Sequence, residues 1–481
     1  ALKPAARKSL PLILGMDLLQ LPLSLIFTRF MNLFSFPKRI SILLLCMAPL
    51  VLHAQKTEKW REAAENYLLG TLTGKSAEMP QTSFSAKQLS AFRHMVWKAW
   101  QTANSRFAEE KLPEMDSLAA GKSFQWQIPE ELEPKATMPF YWGYKGDKPT
   151  AGYPCFLYLH GSGSKVQEWA TGLALGKRFA DAPSVYFIPQ IPNEGQWYRW
   201  WQKGKQFVWD KLLRQTLLRN DINANRLYVF GISEGGYGSQ RLASFYADYW
   251  AAAGPMAGGE PLKNAPAENL ANTAFSLRTG AKDKGFYRDK LTRYTAEALD
   301  SLENLNPAAF RHHVELIPGY GHAIDYTPTT PWLSHFTRNP WPKHFIWEDF
   351  DMDGLHRKGF YNLMVNERPD KALRTRYDVN ITDNVVTLAV ENVVYETVET
   401  DPVYGIELKF SRKYTPARSG KITLFLNEHL VDLSRPVTVM LNGRRVFQGI
   451  VRMKLENMLH ATSVFYDPER LYPAAIQIEL K

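Results

Sequence analysis

Short apolar runs alternate with helix-forming stretches between residues 154 and 317, and this alternation restricts the folds open to the chain. Brief runs rich in Val, Leu and Phe are typical of strands buried on both faces. Strands that alternate with helices form parallel sheets. The sequence therefore predicts an α/β domain, placed at residues 122–338, with a mostly parallel sheet flanked by helices. Expected strands lie at 154–159, 184–189, 226–231, 251–254, 274–279 and 311–317, and expected helices at 166–180, 205–219, 234–247 and 286–304.

The alternation stops after Trp341, and the C-terminal residues carry strand-like runs such as KITLFLN and PVTVMLNGRRVFQGI. Asn442-Gly443 between two of these runs is a strong hairpin signal. We expect a β-sandwich of immunoglobulin-like character at residues 376–481, forming an independent module. Residues 339–375 then form a linker or extension.

The N-terminal part of the chain divides into three segments. Residues 55–121 are rich in helix formers, which predicts a helical, cap-like or lid-like segment. Residues 31–54 begin with Met and combine a basic start, the apolar run ISILLLCMAPLVL and a cleavage site near Ala54, a pattern typical of a signal peptide. Residues 1–30 are an upstream extension. We therefore expect a periplasmic or secreted protein with no stable membrane span after cleavage.

Charge and cysteine content exclude other classes of protein. The formal charge is +10, but no Lys/Arg block or zinc-finger spacing accompanies it, so nucleic acid is not an expected partner. One cysteine, Cys46, lies in the signal segment, where three preceding leucines argue against a lipid anchor. After cleavage Cys155 is the remaining cysteine, so no intrachain disulfide can form, and we expect an inert core thiol.

One acidic segment resembles half of a calcium-binding loop. Asp349, Asp351, Asp353 and Gly354 match the first half of an EF-hand loop, but position twelve is Phe360, where a bidentate Glu is needed. A solvated acidic linker is the favoured interpretation. We therefore expect no metal and no cofactor.

The segment Gly231-Ile232-Ser233-Glu234-Gly235-Gly236 follows the apolar strand RLYVF and precedes a helix-forming stretch. This is the context that a G-x-S-x-G nucleophile elbow requires, because the glycines let the strand turn sharply and expose the serine. Ser233 is therefore the candidate nucleophile.

A second glycine-rich turn, His160-Gly161-Ser162-Gly163, ends an earlier strand. Acyl transfer needs backbone N–H groups directed at the developing oxyanion. We expect Ser162 and Gly163 to supply one or two of these, and Glu234 to supply another. A plain tight turn between strand and helix is the alternative.

The general base and its acid should follow the serine along the chain. His322 lies just past the strand HHVELIP, and Asp283 follows the strand FSLRTG, so both belong to loops at the carboxyl edge of the sheet. His312 and His313 are rival bases, but they lie at the opposite end of their strand. For the acid, Asp289 is the backup, although it falls within the following helix.

An aromatic loop, Gln196-Trp197-Tyr198-Arg199-Trp200-Trp201, follows the strand that ends at Pro189. Connections at this edge of a parallel sheet face the ligand crevice. Trp197, Trp200 and Trp201 are therefore candidate substrate-binding residues. A packed hydrophobic loop is the alternative.

Three motifs together resemble the α/β-hydrolase superfamily: the elbow at 231–236, the turn at 160–163 and the Gly-Tyr-Gly-His segment at 319–322. They look like the polyhydroxybutyrate-depolymerase-like and feruloyl-esterase-like branch, which borders the prolyl-oligopeptidase type of peptidase. The resemblance covers about residues 122–335. It implies the α/β-hydrolase fold and acyl transfer, but it is unspecific for substrate.

Two further features bear on this resemblance. Residues 339–357 are similar to extensions that join secreted hydrolases to β-rich tails. Ser162 stands where the depolymerases often carry a cysteine, which puts a polyester substrate in doubt.

These observations predict a secreted serine hydrolase that cleaves carboxylic esters, carried by a small molecule or a polysaccharide, through a Ser-His-Asp triad and an acyl-enzyme. A serine peptidase of the prolyl-oligopeptidase-like type is one alternative, although no propeller repeat is present. A non-catalytic carbohydrate-binding protein on a hydrolase scaffold is another, and the intact Ser, His and Asp set argues against it.

Overall fold

A nine-stranded sheet carries the elements around Ser233, in a computed structural model that describes residues 58–481. The strands lie in the order β1-β3-β5-β4-β6-β7-β8-β9, with β2 paired to β3. From β5 to β9 all neighbours are parallel, whereas β3 runs antiparallel to β2 and β5. These strands are β1 (Asp116–Ser117), β2 (Ser123–Gln127), β3 (Thr137–Lys145), β4 (Tyr153–Leu159), β5 (Ser184–Pro189), β6 (Ile222–Ile232), β7 (Ala252–Met256), β8 (Ala274–Gly280) and β9 (His312–Ile317).

The central strands are buried on both faces, as their apolar sequences predict. Every residue of β4 is buried. Its side chains alternate between two apolar clusters, because successive residues of a strand point to opposite faces. Cys155 and Leu157 enter one cluster, and Phe156 and Tyr158 enter the other.

Helices cover both faces of this sheet. Residues of α4, α5 and α6 belong to the cluster on one face, and residues of α3 and α7 pack against the cluster on the other. The α/β-hydrolase fold class predicted from the sequence is confirmed by this mostly parallel sheet between two helical layers. The helices are α1 (58–73), α2 (Leu89–Arg106), α3 (Lys165–Arg178), α4 (Lys203–Leu217), α5 (Glu234–Phe245), α6 (Arg288–Leu305), α7 (Thr329–Leu333) and α8 (Leu455–Phe465).

The C-terminal region is β-rich and forms two further sheets. A six-stranded sheet has the order β10-β13-β14-β17-β18 with β15 on β14, and a four-stranded sheet has the order β11-β12-β16-β19. Asn442 and Gly443 have φ values of 45° and 80° and join β17 to β18, so the expected hairpin is present. The strands are β10 (His344–Asp349), β11 (Gly359–Phe360), β12 (Leu363–Glu367), β13 (Arg374–Thr382), β14 (Val385–Thr400), β15 (Glu407–Pro416), β16 (Lys421–Leu426), β17 (Val437–Leu441), β18 (Arg444–Gly449) and β19 (Ala474–Glu479).

This region begins earlier than the sequence pattern suggests. Strands β10, β11 and β12 lie inside residues 339–375, where we expect a linker, and they contribute to both sheets. β14 and β17 pair in parallel, and α8 interrupts the strands. The immunoglobulin-like character therefore stays a prediction.

The C-terminal sheets share a hydrophobic core with the large sheet, and residues 61–481 form one compact unit. Trp209 on α4 and Phe245 on α5 belong to the same continuous cluster as Trp347, Tyr377 and Ile476. The expected independent module is therefore packed against the α/β region through a common core.

A cluster of buried charges joins the same two regions. The Arg470 guanidinium donates to Asp248 at 2.5 Å and to Asp467 at 2.7 Å, and Arg338 donates to Asp467 at 2.8 Å. Burial by itself would raise the pKa of Asp467, but the charges of Arg338 and Arg470 outweigh it and lower that pKa. Asp467 and Arg470 are fully buried, so each charge is stabilised by its ionic partners instead of by water.

The N-terminal helical segment is present from residue 58 onward. The Trp100 ring on α2 stacks on Tyr466, with ring centroids 5.8 Å apart, and Arg93 pairs with Glu428 at 2.5 Å. Helix α2 therefore packs against the C-terminal region.

Two predicted segments, the upstream extension at 1–30 and the signal peptide at 31–54, lie outside the described residues. A search of residues 58–481 for a helix of sufficient length and apolar character to cross a bilayer finds none.

Replacing Arg470 tests the buried charge cluster. Arg470→Met leaves two buried carboxylates short of a partner, so we expect the free energy of unfolding to fall by about 3–5 kcal/mol. The matched change Arg435→Met breaks an exposed pair with Asp432 and should cost about 0–1 kcal/mol. Urea titrations followed by fluorescence and circular dichroism measure both values. Equal losses in the two variants would contradict a stabilising role for the cluster.

Candidate active site

Ser233 occupies the sharp turn between β6 and α5. Its backbone has φ 57° and ψ −111°, a conformation that residues other than glycine rarely adopt. The Ser233 N–H donates to the Met256 carbonyl at 2.9 Å, which ties the turn to the end of β7. The strained backbone is held by its surroundings, as expected for a functional residue at such a turn.

The glycines of the elbow permit backbone contacts that are too close to leave room for a side chain. A Cβ atom on Gly231 would lie 2.2 Å from the Gly235 carbonyl oxygen. A Cβ atom on Gly235 would lie 1.9 Å from the Leu159 carbonyl oxygen. The start of α5 therefore packs directly on the end of β4, and this contact requires glycine.

His322 and Asp283 extend from the ends of β9 and β8 toward the serine. His322 Nε2 lies 3.0 Å from Ser233 Oγ, and His322 Nδ1 lies 2.7 Å from Asp283 Oδ2. The Asp283 side chain is 4% exposed, whereas that of His322 is 47% exposed. Arg288 Nη1 donates to Asp283 Oδ1 at 3.1 Å, so the second carboxylate oxygen is also occupied. The three predicted triad residues thus form one hydrogen-bonded chain.

The rival residues have partners elsewhere. His312 Nε2 lies 3.0 Å from Asp300 Oδ1, and the exposed His313 lies near Glu315. Asp289, the backup acid, is paired with Lys284. None of these three contacts includes Ser233 or His322.

The His160 turn lies beside the nucleophile. A Cβ atom on Gly161 would lie 3.5 Å from Ser233 Cβ. His160 Nε2 accepts the Ile191 N–H at 3.1 Å, so Nδ1 carries the proton and donates to the Gly161 carbonyl at 2.8 Å. Burial lowers the pKa of His160 to about 4, so the ring is neutral and acts as a fixed support for the turn.

The predicted oxyanion residues occupy different positions around the serine. Ser162 and Glu234 line the same cavity as Ser233. Gly163 is not among the lining residues of this cavity, and a Cβ atom placed there would lie 2.4 Å from a carboxylate oxygen of Glu168. The Glu234 N–H opens helix α5, where backbone donors lack helical partners.

The aromatic loop divides into core and cavity residues. Trp200 is fully buried, and its indole N–H donates to the His160 carbonyl at 3.0 Å. The expectation that Trp200 binds substrate is therefore corrected, because this ring packs beneath the turn. Trp197 is partly exposed and lies beside the Lys205 ammonium. Trp201 lines the cavity, but the Arg241 guanidinium lies over its ring at 3.8 Å.

A cavity of about 480 Å³ opens beside Ser233. One wall comes from the tip of the β14–β15 hairpin, where Lys263 Nζ donates to Glu407 at 2.7 Å and the Tyr404 ring lies 4.7 Å from that of Phe286. Its lining residues come from the turn at 160–163, the loop before α4, the elbow and α5, the loop after β7, the start of α6 with the residues before it, and this hairpin. They include Arg199, Tyr237, Arg241, Glu260, Arg288 and Glu407. Among the residues that the structure describes, the lining includes no residue of α2, so the expected lid-like role of the N-terminal segment is not supported.

Sequence reasoning missed most of this lining. Arg199 lies inside the aromatic loop, and the sequence pattern predicts a role only for the backbone N–H of Glu234. The hairpin residues Gly405, Ile406 and Glu407 lie more than 170 residues after Ser233. No local pattern connects them with the serine, because that contact depends on how the β-rich region packs.

Glu234 is the most perturbed acid of the cavity. Burial raises the pKa of its carboxyl to about 7, the charge of Arg199 opposes this rise, and Glu260 adds to it. Its Oε1 atom is buried and has no hydrogen-bond partner among the described residues, and its Oε2 atom lies 3.6 Å from Arg199 Nη1.

The EF-hand-like acidic segment uses its carboxylates within the protein. Asp349 contacts His356 at 3.1 Å and Arg368 at 3.0 Å. Asp353 accepts the Lys203 N–H at 2.7 Å. In residues 58–481, no group of three or more His, Cys, Asp or Glu side chains has an arrangement suited to a metal ion.

No protein-family model and no curated protein matches the sequence. Among solved structures, a thermostable esterase shares 19% identity over 45% of this chain and 63% of that chain, with a TM-score of 0.35. The BES protein from Bacillus cereus shares 16% identity over 47% and 97%, with a TM-score of 0.33. A ferulic acid esterase from the anaerobic fungus Anaeromyces mucronatus shares 14% identity over 48% and 92%, with a TM-score of 0.31. Similarity of this degree carries no argument about activity, which depends on the residues around Ser233.

The different surroundings of the two tryptophans can be tested. Trp200→Ala removes a fully buried ring and should lower the free energy of unfolding by about 3–5 kcal/mol. Trp197→Ala removes a partly exposed ring with one cation contact and should cost about 1 kcal/mol. Urea titration compares the variants, and an equal loss in both would show that Trp200 is not a core residue.

Proposed function

We propose that the protein is a serine hydrolase that cleaves carboxylic esters, with Ser233 as nucleophile, His322 as general base and Asp283 as the acid that orients the base. The observation that carries the proposal is the hydrogen-bonded chain from Ser233 Oγ through His322 to Asp283, with distances of 3.0 and 2.7 Å. A nucleophile within reach of a base that is itself oriented by a third group is the arrangement required for acyl transfer.

In the proposed reaction, His322 Nε2 takes the Ser233 hydroxyl proton while Oγ attacks the ester carbonyl carbon. The tetrahedral intermediate collapses, the alkoxy group leaves with the proton from His322, and an acyl-enzyme remains. Water then attacks the acyl carbon with His322 again as base, which releases the acid and restores Ser233. Asp283 stabilises the imidazolium in both halves, and Arg288 fixes the orientation of Asp283 through its second oxygen.

The oxyanion would be held by backbone N–H groups on either side of Ser233. The Glu234 N–H at the start of α5 is one proposed donor, because helix N-termini carry partial positive charge. Ser162 and Gly163 on the neighbouring turn are the others. The buried, neutral His160 supports this turn without adding a charge to it.

We propose small-molecule esters as the substrate class. An exposed aromatic loop would favour a polysaccharide ester, but Trp200 is buried and Arg241 covers one face of Trp201. No observation at the cavity specifically favours the peptidase or the non-catalytic alternative.

Ser233→Ala should reduce ester turnover by about three to six orders of magnitude, because triad residues act as a unit. The measurement is hydrolysis of acetyl, butyryl and feruloyl esters beside aminoacyl arylamides, with melting temperature as the control for folding. A well-folded S233A protein that keeps more than a tenth of wild-type esterase activity would eliminate this nucleophile. A fluorophosphonate should label wild-type protein at Ser233 and should fail to label His322→Ala.

We also propose export, with cleavage after Ala54 and a periplasmic or secreted mature protein. The support is the basic start, apolar run and cleavage pattern of residues 31–54. Expression of the chain from Met31 in a bacterial host should yield an exported protein whose first residue is Gln55. Mass spectrometry of the N-terminal peptide provides the test, and an intact segment 31–54 on the exported protein would refute cleavage.

A further inference from the structure

The Glu234 carboxylate lines the cavity beside Ser233, and its ionic contact with Arg199 is a loose one. The residue is 7% exposed, it lines the cavity, and its Oε1 atom lacks a hydrogen-bond partner among the described residues. A buried carboxylate oxygen without a donor costs free energy, so structures normally provide one. Oε1 has almost no accessible surface, so a ligand in the cavity would reach the carboxylate through Oε2, which lies 3.6 Å from Arg199 Nη1.

Arg199 supplies a donor at the same place. Its side chain is 47% exposed, and it lines the cavity together with Glu234. A ligand group between the two side chains would accept a hydrogen bond from Arg199 and donate one to Glu234.

The charges of the cavity are largely paired, which favours a neutral ligand. Arg241 donates to both oxygens of Glu260, at 2.8 and 3.1 Å. Arg288 is paired with Asp283, and Glu407 is paired with Lys263.

Arg199 and Glu234 complete this balance as a loose pair at 3.6 Å. An ionic ligand would have to displace one of the existing partners. A hydroxyl group carries a donor and an acceptor without net charge, and it meets both requirements.

We propose that this cavity recognises a hydroxyl group of the substrate, with the Glu234 carboxylate accepting the hydrogen bond from its O–H and the Arg199 guanidinium donating to its oxygen. Glu234 is then a specificity-determining residue that favours esters with a hydroxylated acyl or alkoxy group over plain aliphatic esters. The inference rests on the proposed esterase function, because the cavity can hold the substrate only if the adjoining Ser233 is the nucleophile.

The ionisation of Glu234 provides a second readout. Burial raises its pKa to about 7, with Arg199, Arg241 and Arg288 opposing this rise and Glu260 adding to it. The carboxylate is the stronger acceptor, so preference for the hydroxylated ester should increase as pH rises through about 7. His322 and Asp283 lie nearby, but they act on both members of a substrate pair, so the ratio of the two rates cancels their effect.

The test compares kcat/KM within matched pairs of esters. The acyl pair is 4-nitrophenyl hexanoate and its 6-hydroxy derivative, with the 6-amino derivative as a cationic probe. The alkoxy pair is propyl butyrate and glycerol monobutyrate. Wild-type enzyme should prefer the hydroxylated member of at least one pair by about tenfold, the size expected for a hydrogen bond to a charged group.

Two variants of Glu234 then remove the acceptor in steps. Glu234→Met has similar length and no acceptor oxygen, so its preference should fall to within about twofold of unity. Glu234→Gln keeps an acceptor oxygen and loses the charge, so it should retain part of the preference and lose its pH dependence. Glu396→Met changes an exposed glutamate on β14 that pairs with Lys413 on β15, and it should keep the wild-type ratio.

Several results would overturn the inference. They are equal cleavage of both members by wild-type enzyme, an undiminished ratio in the Glu234 variants, or a stronger preference for the 6-amino ester. In each of these cases esterase activity and fluorophosphonate labelling persist, so the proposed function survives. If wild-type enzyme cleaves no ester and takes no label, the proposed function fails and the inference fails with it.

Discussion

The candidate site depends on a backbone contact that leaves no room for a side chain. Gly235, in the first turn of α5, lies so close to the Leu159 carbonyl at the end of β4 that a Cβ atom would overlap it. The same contact brings the elbow, with the strained Ser233 at its tip, beside the His160 turn, which continues directly from β4. One packing constraint therefore sets the positions of both the proposed nucleophile and the proposed oxyanion donors.

The β-rich C-terminal region contributes to the site as well as to stability. Its core is continuous with that of the large sheet, and the buried charges of Asp248, Asp467 and Arg470 join the two regions. This packing brings the β14–β15 hairpin to the cavity, where the Lys263 to Glu407 ion pair holds its tip. The wall of the cavity therefore depends on the orientation of a region far away in sequence.

Local sequence patterns predicted the α/β sheet well, because strand burial and helix spacing are local properties. The expected strands at 184–189 and 274–279 agree with β5 and β8 to within one residue. The candidate serine, histidine and aspartate could be proposed from the sequence for the same reason, since each follows a recognisable strand. The burial of Trp200 and the strands within residues 339–375 could not be predicted in this way. Burial of a loop side chain and pairing of distant strands are set by tertiary packing.

The position of Glu234 connects its side chain to the proposed chemistry. Its backbone N–H lies at the start of α5, where the helix dipole favours negative charge. The positive end of α5 would stabilise both an ionised Glu234 and a developing oxyanion. The two negative charges would repel each other. Burial that raises the Glu234 pKa to about 7 reduces this competition near neutral pH. A hydroxyl donor bound to the carboxylate would offset part of its charge, so recognition of the substrate and stabilisation of the oxyanion would act in the same direction.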